Sequence, residues 1–241
     1  MNRLDDVSIE ALGDGVLMLQ FGERIDTQIN AQVYAAAQQL QRAALPGIRD
    51  IVPAYASLAV HYDALQWADA SGANAAQRCE DALRAALSVE ADVQRDDASA
   101  LIVVPVCYGG EFGPDLAALA AHTGLSEADV MARHCDATYR VAMLGFAPGF
   151  AYLLGLDVAL HAPRRAQPRL RVPAGSVAIG GAQTGIYPRE LPGGWNLIGR
   201  TPWTMFDVRR SPASKLAPGD RVRFRVVDND EYRALCIAEG S

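Results

Sequence analysis

GFAPGFAYLLGLDVALHAPRRAQPRLRVPAGSVAIGGAQTGIYPRELPGGWNLIGRTP, Gly145 to Pro202, decides how the second half of this chain folds. The run is under a quarter of the 241 residues yet holds ten of the 21 glycines and seven of the 13 prolines. Glycine serves where φ is positive or another group must approach the backbone; proline fixes φ and removes a donor. Between these breakers lie only short apolar segments, the pattern of many short strands joined by tight turns and closed into a barrel. The run also carries Arg164, Arg165, Arg169, Arg171, Arg189 and Arg200 against Asp157 and Glu190. It is therefore +4 within a chain of net charge −6, and the rest of the chain carries −10. Such a segment fits two roles: turn chemistry of a compact barrel, or a glycine-lined concavity that holds a small anion with guanidinium forks and backbone amides.

Outward from this run, the second half predicts strands at Leu101–Val106, Tyr139–Phe146, Leu170–Val172, Ser176–Gly180, Gly185–Tyr187, Trp195–Gly199, Thr204–Val208 and Arg221–Val227. Pro114 opens a helix over Asp115–His122 that Gly124 ends, and Ser126 with Asp129 forms a capping box for a second helix reaching Arg133. The first half runs in a β-β-α-β-β-α-β rhythm. Val7–Ala11 and Gly15–Phe21 flank a Gly-Asp-Gly turn, and Ile48–Pro53 and Ser57–Tyr62 make a second strand pair. Ile29, Val33, Ala36, Ala37 and Leu40 recur at helical spacing behind Asp26 or Thr27, as do Ala75, Cys79, Leu83 and Leu87. This order suits an α+β domain of ferredoxin-like type with both helices on one face. The polar stretch Glu90–Ala98 sets the boundary, giving domains 1–96 and 97–241.

Composition narrows the chemistry. Cys79, Cys107, Cys135 and Cys236 lie far apart with no CxxC pair, so neither a zinc site nor a disulfide framework is expected. The acidic balance and the lack of a basic stripe argue against nucleic acid. No apolar run is long enough for a membrane span, and the acidic N-terminus has no signal core, which makes cytoplasm the expected compartment. Lys215 is the one lysine among 22 basic residues, so there is no G-K-[ST] phosphate loop and no Schiff-base lysine in the glycine-rich run. HExxH, aspartate-rich metal loops and a G-x-S-x-G elbow are absent, and no metal is expected.

Candidate site residues follow from the run. His134, just before the strand into GFAPGF, can shuttle a proton, or can cap the Ser126 helix as a cation at its C-terminus. Phe146, Pro148 and Phe150 can wall an apolar pocket or plug the barrel end. Arg164, Arg169 and Arg171 can hold a carboxylate or phosphate; on a strand Arg169 and Arg171 share one face, with no acid close in sequence. Gly175, Ser176 and Gly181 can present amides and a hydroxyl to an oxyanion, and Gln183 and Tyr187 can orient an amide or carboxylate. Trp195, a core residue or a stacking platform, closes the set with Asn196 and Arg200.

Five blocks, VPAYASLAVHYD (Val52–Asp63), VPVCYGGEFGPDL (Val104–Leu116), YRVAMLGFAPGFAYL (Tyr139–Leu153), PRRAQPRLRVPAGSVAIGGAQTGIYP (Pro163–Pro188) and PGGWNLIGRTP (Pro192–Pro202), resemble, in order, the B-subunit family of 5-oxoprolinase. The same family is known as allophanate hydrolase subunit 1 or Kip-type kinase inhibitor. The resemblance implies a cyclophilin-like second domain and a functional histidine at His134. It implies one member of an ATP-dependent (magnesium-requiring) 5-oxoprolinase complex that opens 5-oxoproline to glutamate. The chain is then inactive alone, and its partners are the enzyme's larger, cyclophilin-like C subunit plus its A subunit. On that reading the complex uses ATP, with none evident on this chain alone. Two other functions share the motifs: inhibition of a sensor histidine kinase, and the first half of a urea- or allophanate-type carboxyltransferase.

Overall fold

The computed structural model describes residues 7–70, 74–89 and 100–239. The chain divides into two compact units, Met1–Asp97 and Ala98–Ser241. The stretch expected to separate the domains, residues 90–98, lies outside the described residues.

In the first unit, β1 (Ser8–Ala11) and β2 (Val16–Gln20) precede α1 (Thr27–Ala43), then β3 (Ile48–Pro53), β4 (Ser57–Tyr62), the single turn α2 (Ala64–Trp67) and α3 (Ala75–Ser88). The side chain of Asp26 caps α1 by accepting the amides of Gln28 and Ile29 at 2.7 and 3.0 Å. The strands are antiparallel in the order β1-β2-β4-β3. Leu17, Leu19, Leu58 and Val60 bury against Val33, Ala37 and Leu40 of α1 and Cys79, Leu83 and Leu87 of α3, so one face of the sheet carries both helices. The expected fifth strand is not in this sheet. A turn at Gly13, with φ of +67°, folds β1 onto the edge beside β2, and the next described strand belongs to the second unit.

The second unit runs β5 (Leu101–Tyr108), α4 (Leu116–Thr123), α5 (Glu127–Asp136), β6 (Tyr139–Leu144), β7 (Ala151–Leu154), β8 (Arg169–Val172), β9 (Ser176–Gly180), β10 (Gln183–Ile186), β11 (Leu191–Gly193), β12 (Asn196–Arg200), β13 (Arg221–Val226) and α6 (Asn229–Glu239). Seven strands close into a barrel in the order β10-β7-β6-β13-β5-β12-β9. Among the described residues its one parallel pair is β5 with β13. β8 and β11 form a separate ribbon. The expected strand Thr204–Val208 is a loop with a single bridge, Phe206 to Ser214. Its backbone is fixed from outside: Glu239 at the end of α6 accepts the Thr204 amide and the Lys215 ammonium, which lies 4.5 Å from the Trp203 ring centre. Among the described residues no helix is long and apolar enough to cross a membrane.

The barrel interior is aliphatic (Val104, Val106, Val141, Leu153, Val177, Ile179, Ile186, Ile198) and is braced by a polar strut. The capping box at Ser126 starts α5 as expected, but the helix runs on to Asp136 and buries His134 completely. The imidazole stacks on Phe224 at 4.4 Å between centroids. Nδ1 lies 2.7 Å from the Tyr108 hydroxyl and Nε2 lies 3.0 Å from Thr184 Oγ1. Thr184 Oγ1 already donates to Ala178 O, so it accepts from Nε2–H, and Nδ1 is left to accept from Tyr108. This fixes a neutral ring, and burial pulls its pKa down to about 3. The ring does not lie open at the mouth of the GFAPGF turn, nor does it sit as a charged cap on α5: both nitrogens are engaged inside the barrel.

This geometry has a pH signature. The unfolded chain binds a proton on His134 below about pH 6.5, whereas the folded chain does so only near 3, so the contribution of this residue to stability is present above about 6.5 and lost as pH falls. Urea unfolding of the wild type and of His134→Gln, compared from pH 7 to pH 4, should differ in slope by about 1.4 kcal/mol per pH unit below 6. Parallel curves would show that the ring is accessible to protons in the fold.

Candidate functional site

Strand alternation sorts the glycine-rich run into two faces. Val177, Ile179, Thr184 and Ile186 point into the barrel, while Tyr152, Ala178, Gly180, Gln183, Gly185 and Leu197 lie on the outer face. That outer face carries an aromatic cluster. Phe150 sits edge-on to Tyr187 and Trp195 at 5.1 and 5.8 Å, and Tyr152 packs on Phe150 at 4.7 Å. Two glycines are needed for close approach. A Cβ at Gly180 would lie 2.7 Å from the Trp195 indole, and one at Gly193 would lie 2.2 Å from the Tyr187 hydroxyl. The hydroxyl of Tyr187 accepts the Trp195 amide, and burial raises its pKa. Tyr187 and Phe150 thus belong to the wall itself, and Trp195 is 5 % exposed with the Arg164 guanidinium 5.8 Å above its ring.

Two polar groups on this wall have no partner within the fold. Gln183 is 7 % exposed, yet its side-chain amide makes no hydrogen bond among the described residues. Arg164 is exposed and has no carboxylate in ion-pair range among them; its charge reaches the hydroxyls of Tyr152 and Tyr187. At the rim, Phe146 is 61 % exposed and edge-on to Phe150 at 5.4 Å. Its φ of +67° is an outlier for an aromatic residue. With Leu144, the exposed Pro148 and Phe206 it lines a shallow apolar cavity of about 450 Å³.

The other expected ligands are engaged elsewhere. Arg169 donates Nη1 and Nη2 to Asp115 at 2.8 Å each, and Arg165 donates to the same carboxylate at 2.7 Å. The Leu197 amide, at 2.8 Å, completes its four contacts. Asp115 is 3 % exposed, stands at the start of α4 and makes no capping bond there. The pattern without nearby acids was therefore misleading, since the acid lies about 50 positions upstream. Arg171 does not converge with Arg169: its side chain is 82 % exposed and stands 3.6 Å from Glu190. Asn196 donates to Pro163 O and Ile179 O, tying down the arginine loop. The amides expected to form an anion nest are engaged too, Gly175 N with Tyr187 O and Gly181 N with Ala162 O, both at 2.7 Å. Ser176 and Arg200 face one another across β9 and β12, away from Trp195. Asp115 and Tyr152 carry no motif of their own; only the register that places Tyr152 opposite Gly185 could have pointed to the latter.

Residues 7–216 match the family model described as "Carboxyltransferase domain, subdomain C and D". A protein of Bacillus subtilis (strain 168), named as the B subunit of 5-oxoprolinase, is 41 % identical over 232 residues, 94 % of this chain and 95 % of that one. The chain belongs to the 5-oxoprolinase B-subunit family. The crystal structure of TTHA0988 superposes with a TM-score of 0.75 at 39 % identity over 89 % of this chain, which spans only 40 % of that longer one. The urea carboxylase of Kluyveromyces lactis shares the fold, with a TM-score of 0.71 at 20 % identity over 97 % of this chain and 23 % of its own.

For this family member, removing the carboxylate should cost more than removing any exposed arginine. Asp115→Ala leaves two arginines and the Leu197 amide without their acceptor and should lower stability by about 3 kcal/mol, the lower end for a broken buried pair because both arginines keep contact with water. Arg171→Ala should stay within about 0.5 kcal/mol. Chemical denaturation of both variants checks this, and similar midpoints would show that the arginine loop is not anchored on Asp115.

Proposed function

We propose that this chain is the B subunit of an ATP-dependent 5-oxoprolinase and that the outer face bounded by Arg164, Gln183, Tyr152 and Trp195 receives 5-oxoproline. The observation that carries the site is Gln183, a buried residue whose side-chain amide makes no hydrogen bond among the described residues, on a wall where Arg164 has no carboxylate in ion-pair range. 5-Oxoproline offers the complementary groups. Its lactam presents one N–H and one C=O to a primary amide, its carboxylate suits a guanidinium fork, and its ring methylenes suit an aromatic wall. Phe146, at the rim, covers the ring from the solvent side.

An unactivated lactam resists hydrolysis, and phosphorylation of its oxygen by ATP creates a leaving group. Among the described residues Lys215 is held by Glu239, and no group of three or more His, Cys, Asp or Glu could hold a metal ion. We therefore place the magnesium–nucleotide chemistry on a partner, either the larger C subunit or the A subunit of the enzyme, and expect the chain alone not to turn over substrate. This chain's residues bind and orient. Gln183 fixes the lactam, Tyr187 and His134 hold the wall and the barrel behind it, and Arg164 sets the carboxylate. The compartment that fits this role is the cytoplasm. Kinase inhibition and the carboxyltransferase function rest on shared motifs and shared fold, and no feature of the outer face favours them.

In the reconstituted complex, Arg164→Ala should raise KM for 5-oxoproline by about 10–100-fold, the loss of one charge-assisted hydrogen-bonded contact. Gln183→Leu should lower kcat/KM with assembly unchanged. Steady-state 5-oxoproline-dependent ATP hydrolysis, with size-exclusion profiles of the same samples, decides; wild-type kinetics for both variants would place the substrate elsewhere.

A further inference from the structure

Four residues along β9 from Gly180, the same outer face presents a second pair of unpartnered polar groups. Arg200 on β12 is the register partner of Ser176 on β9. Ser176 is fully buried, and its Oγ has no hydrogen-bond partner. Arg200 is half-buried, its Nε is covered and unpaired, and the side chain makes no hydrogen bond or ion pair among the described residues. What it does touch is aromatic: the guanidinium carbon lies 5.5 Å from the centre of the Phe112 ring. A buried hydroxyl without a partner costs about 1–3 kcal/mol, and an unpaired guanidinium beside it adds to that cost. Two such groups facing each other across neighbouring strands are complementary to something that brings acceptors for both.

The backbone around the pair is tightly packed: Gly175, next to Ser176, has φ of +77°, and a Cβ there would lie 2.4 Å from Thr201 O and 3.3 Å from Arg200 Cγ, so the glycine lets β9 and the Arg200 stem lie against each other. Along β9 the distance from Ser176 to Gly180, beneath Trp195 and Arg164, is about 13 Å. Between them the Asp115 carboxylate binds the Leu197 amide opposite Ala178, which separates the two positions. Arg165 and Arg169 are taken by Asp115 and Arg171 stands in solvent, so of these four arginines Arg200 is the half-buried one without an acid.

We infer that Arg200 and Ser176 form a second subsite on this chain, separate from the Arg164 wall, for a small oxyanion with at least two free oxygens, a phosphate or a carboxylate. The guanidinium supplies a planar fork on Phe112, and the Ser176 hydroxyl donates one further hydrogen bond. The inference does not depend on where 5-oxoproline binds.

The test uses the full chain labelled with nitrogen-15, titrated at constant ionic strength with inorganic phosphate and, separately, with acetate, following the arginine Nε–Hε resonances. The resonance lost in Arg200→Lys identifies Arg200; in the wild type it should shift and saturate. Ser176→Ala should weaken the same titration by about 10–100-fold, one hydrogen bond to a charged group. Arg164→Ala should leave it unchanged. Tighter phosphate than acetate assigns a phosphoryl ligand, and the reverse assigns a carboxylate. An Arg200 resonance that responds to neither anion overturns the inference, as does a titration abolished by Arg164→Ala, which would place the anion on the Trp195 wall. Because the first readout is on the wild-type chain, a variant that fails to fold does not protect the inference.

Discussion

One carboxylate organises the outer face of this barrel. Asp115 has two oxygens with room for about four donors, and the fold supplies four: one from Arg165, two from Arg169 and one from the Leu197 amide. Its own amide donates to Leu197 O, so the start of α4 and β12 are joined in both directions. This link adds to the Asn196 side chain and the Arg165 amide, which also hold the proline-rich loop 163–169 near the barrel. Two arginines on one acid also leave one positive charge unneutralised beside Arg164. The positive field over the aromatic wall is thus a by-product of the cross-link that shapes it.

The inside of the barrel follows a different rule. There a single neutral histidine joins α5 to β5 through Tyr108, to β10 through Thr184 and to β13 by stacking on Phe224. A hydrophobic side chain could fill the volume, but it would leave the Tyr108 and Thr184 oxygens short of partners, the costly state for a buried polar group. His134 fixes which strands the helix meets, and the outer-face residues of β10 inherit their position from it.

The strand–turn rhythm was legible because it rests on local chemistry. Capping at Asp26 and Ser126, positive φ at Gly124 and alternation in Ser176–Gly180 are all settled within a few residues. Which side chains would be left free was not legible, since that depends on long-range partners. Arg169 and Arg200 look equivalent in sequence, yet one meets Asp115 and the other meets none. For the same reason Thr204–Val208 reads as a strand: its alternation is right, but the Thr204 amide goes to Glu239 of α6 and the rest pairs with the nearby loop at Ala213 and Lys215. β11 is too short, and α6 too exposed, to leave a periodic apolar signature.

The lone lysine has a practical side. Lys215 holds the only side-chain amine of the chain, and it is engaged by Glu239 over the Trp203 ring. Amine-directed cross-linkers and labels will therefore find little to react with on any face of this molecule, including the arginine loop and the β8–β11 ribbon. Silence in a lysine-based cross-linking map of an assembly containing this chain would say nothing about where its neighbours touch it. Reagents that couple carboxylates, of which the chain has 28 on its Asp and Glu side chains, are the ones that would report the contacts.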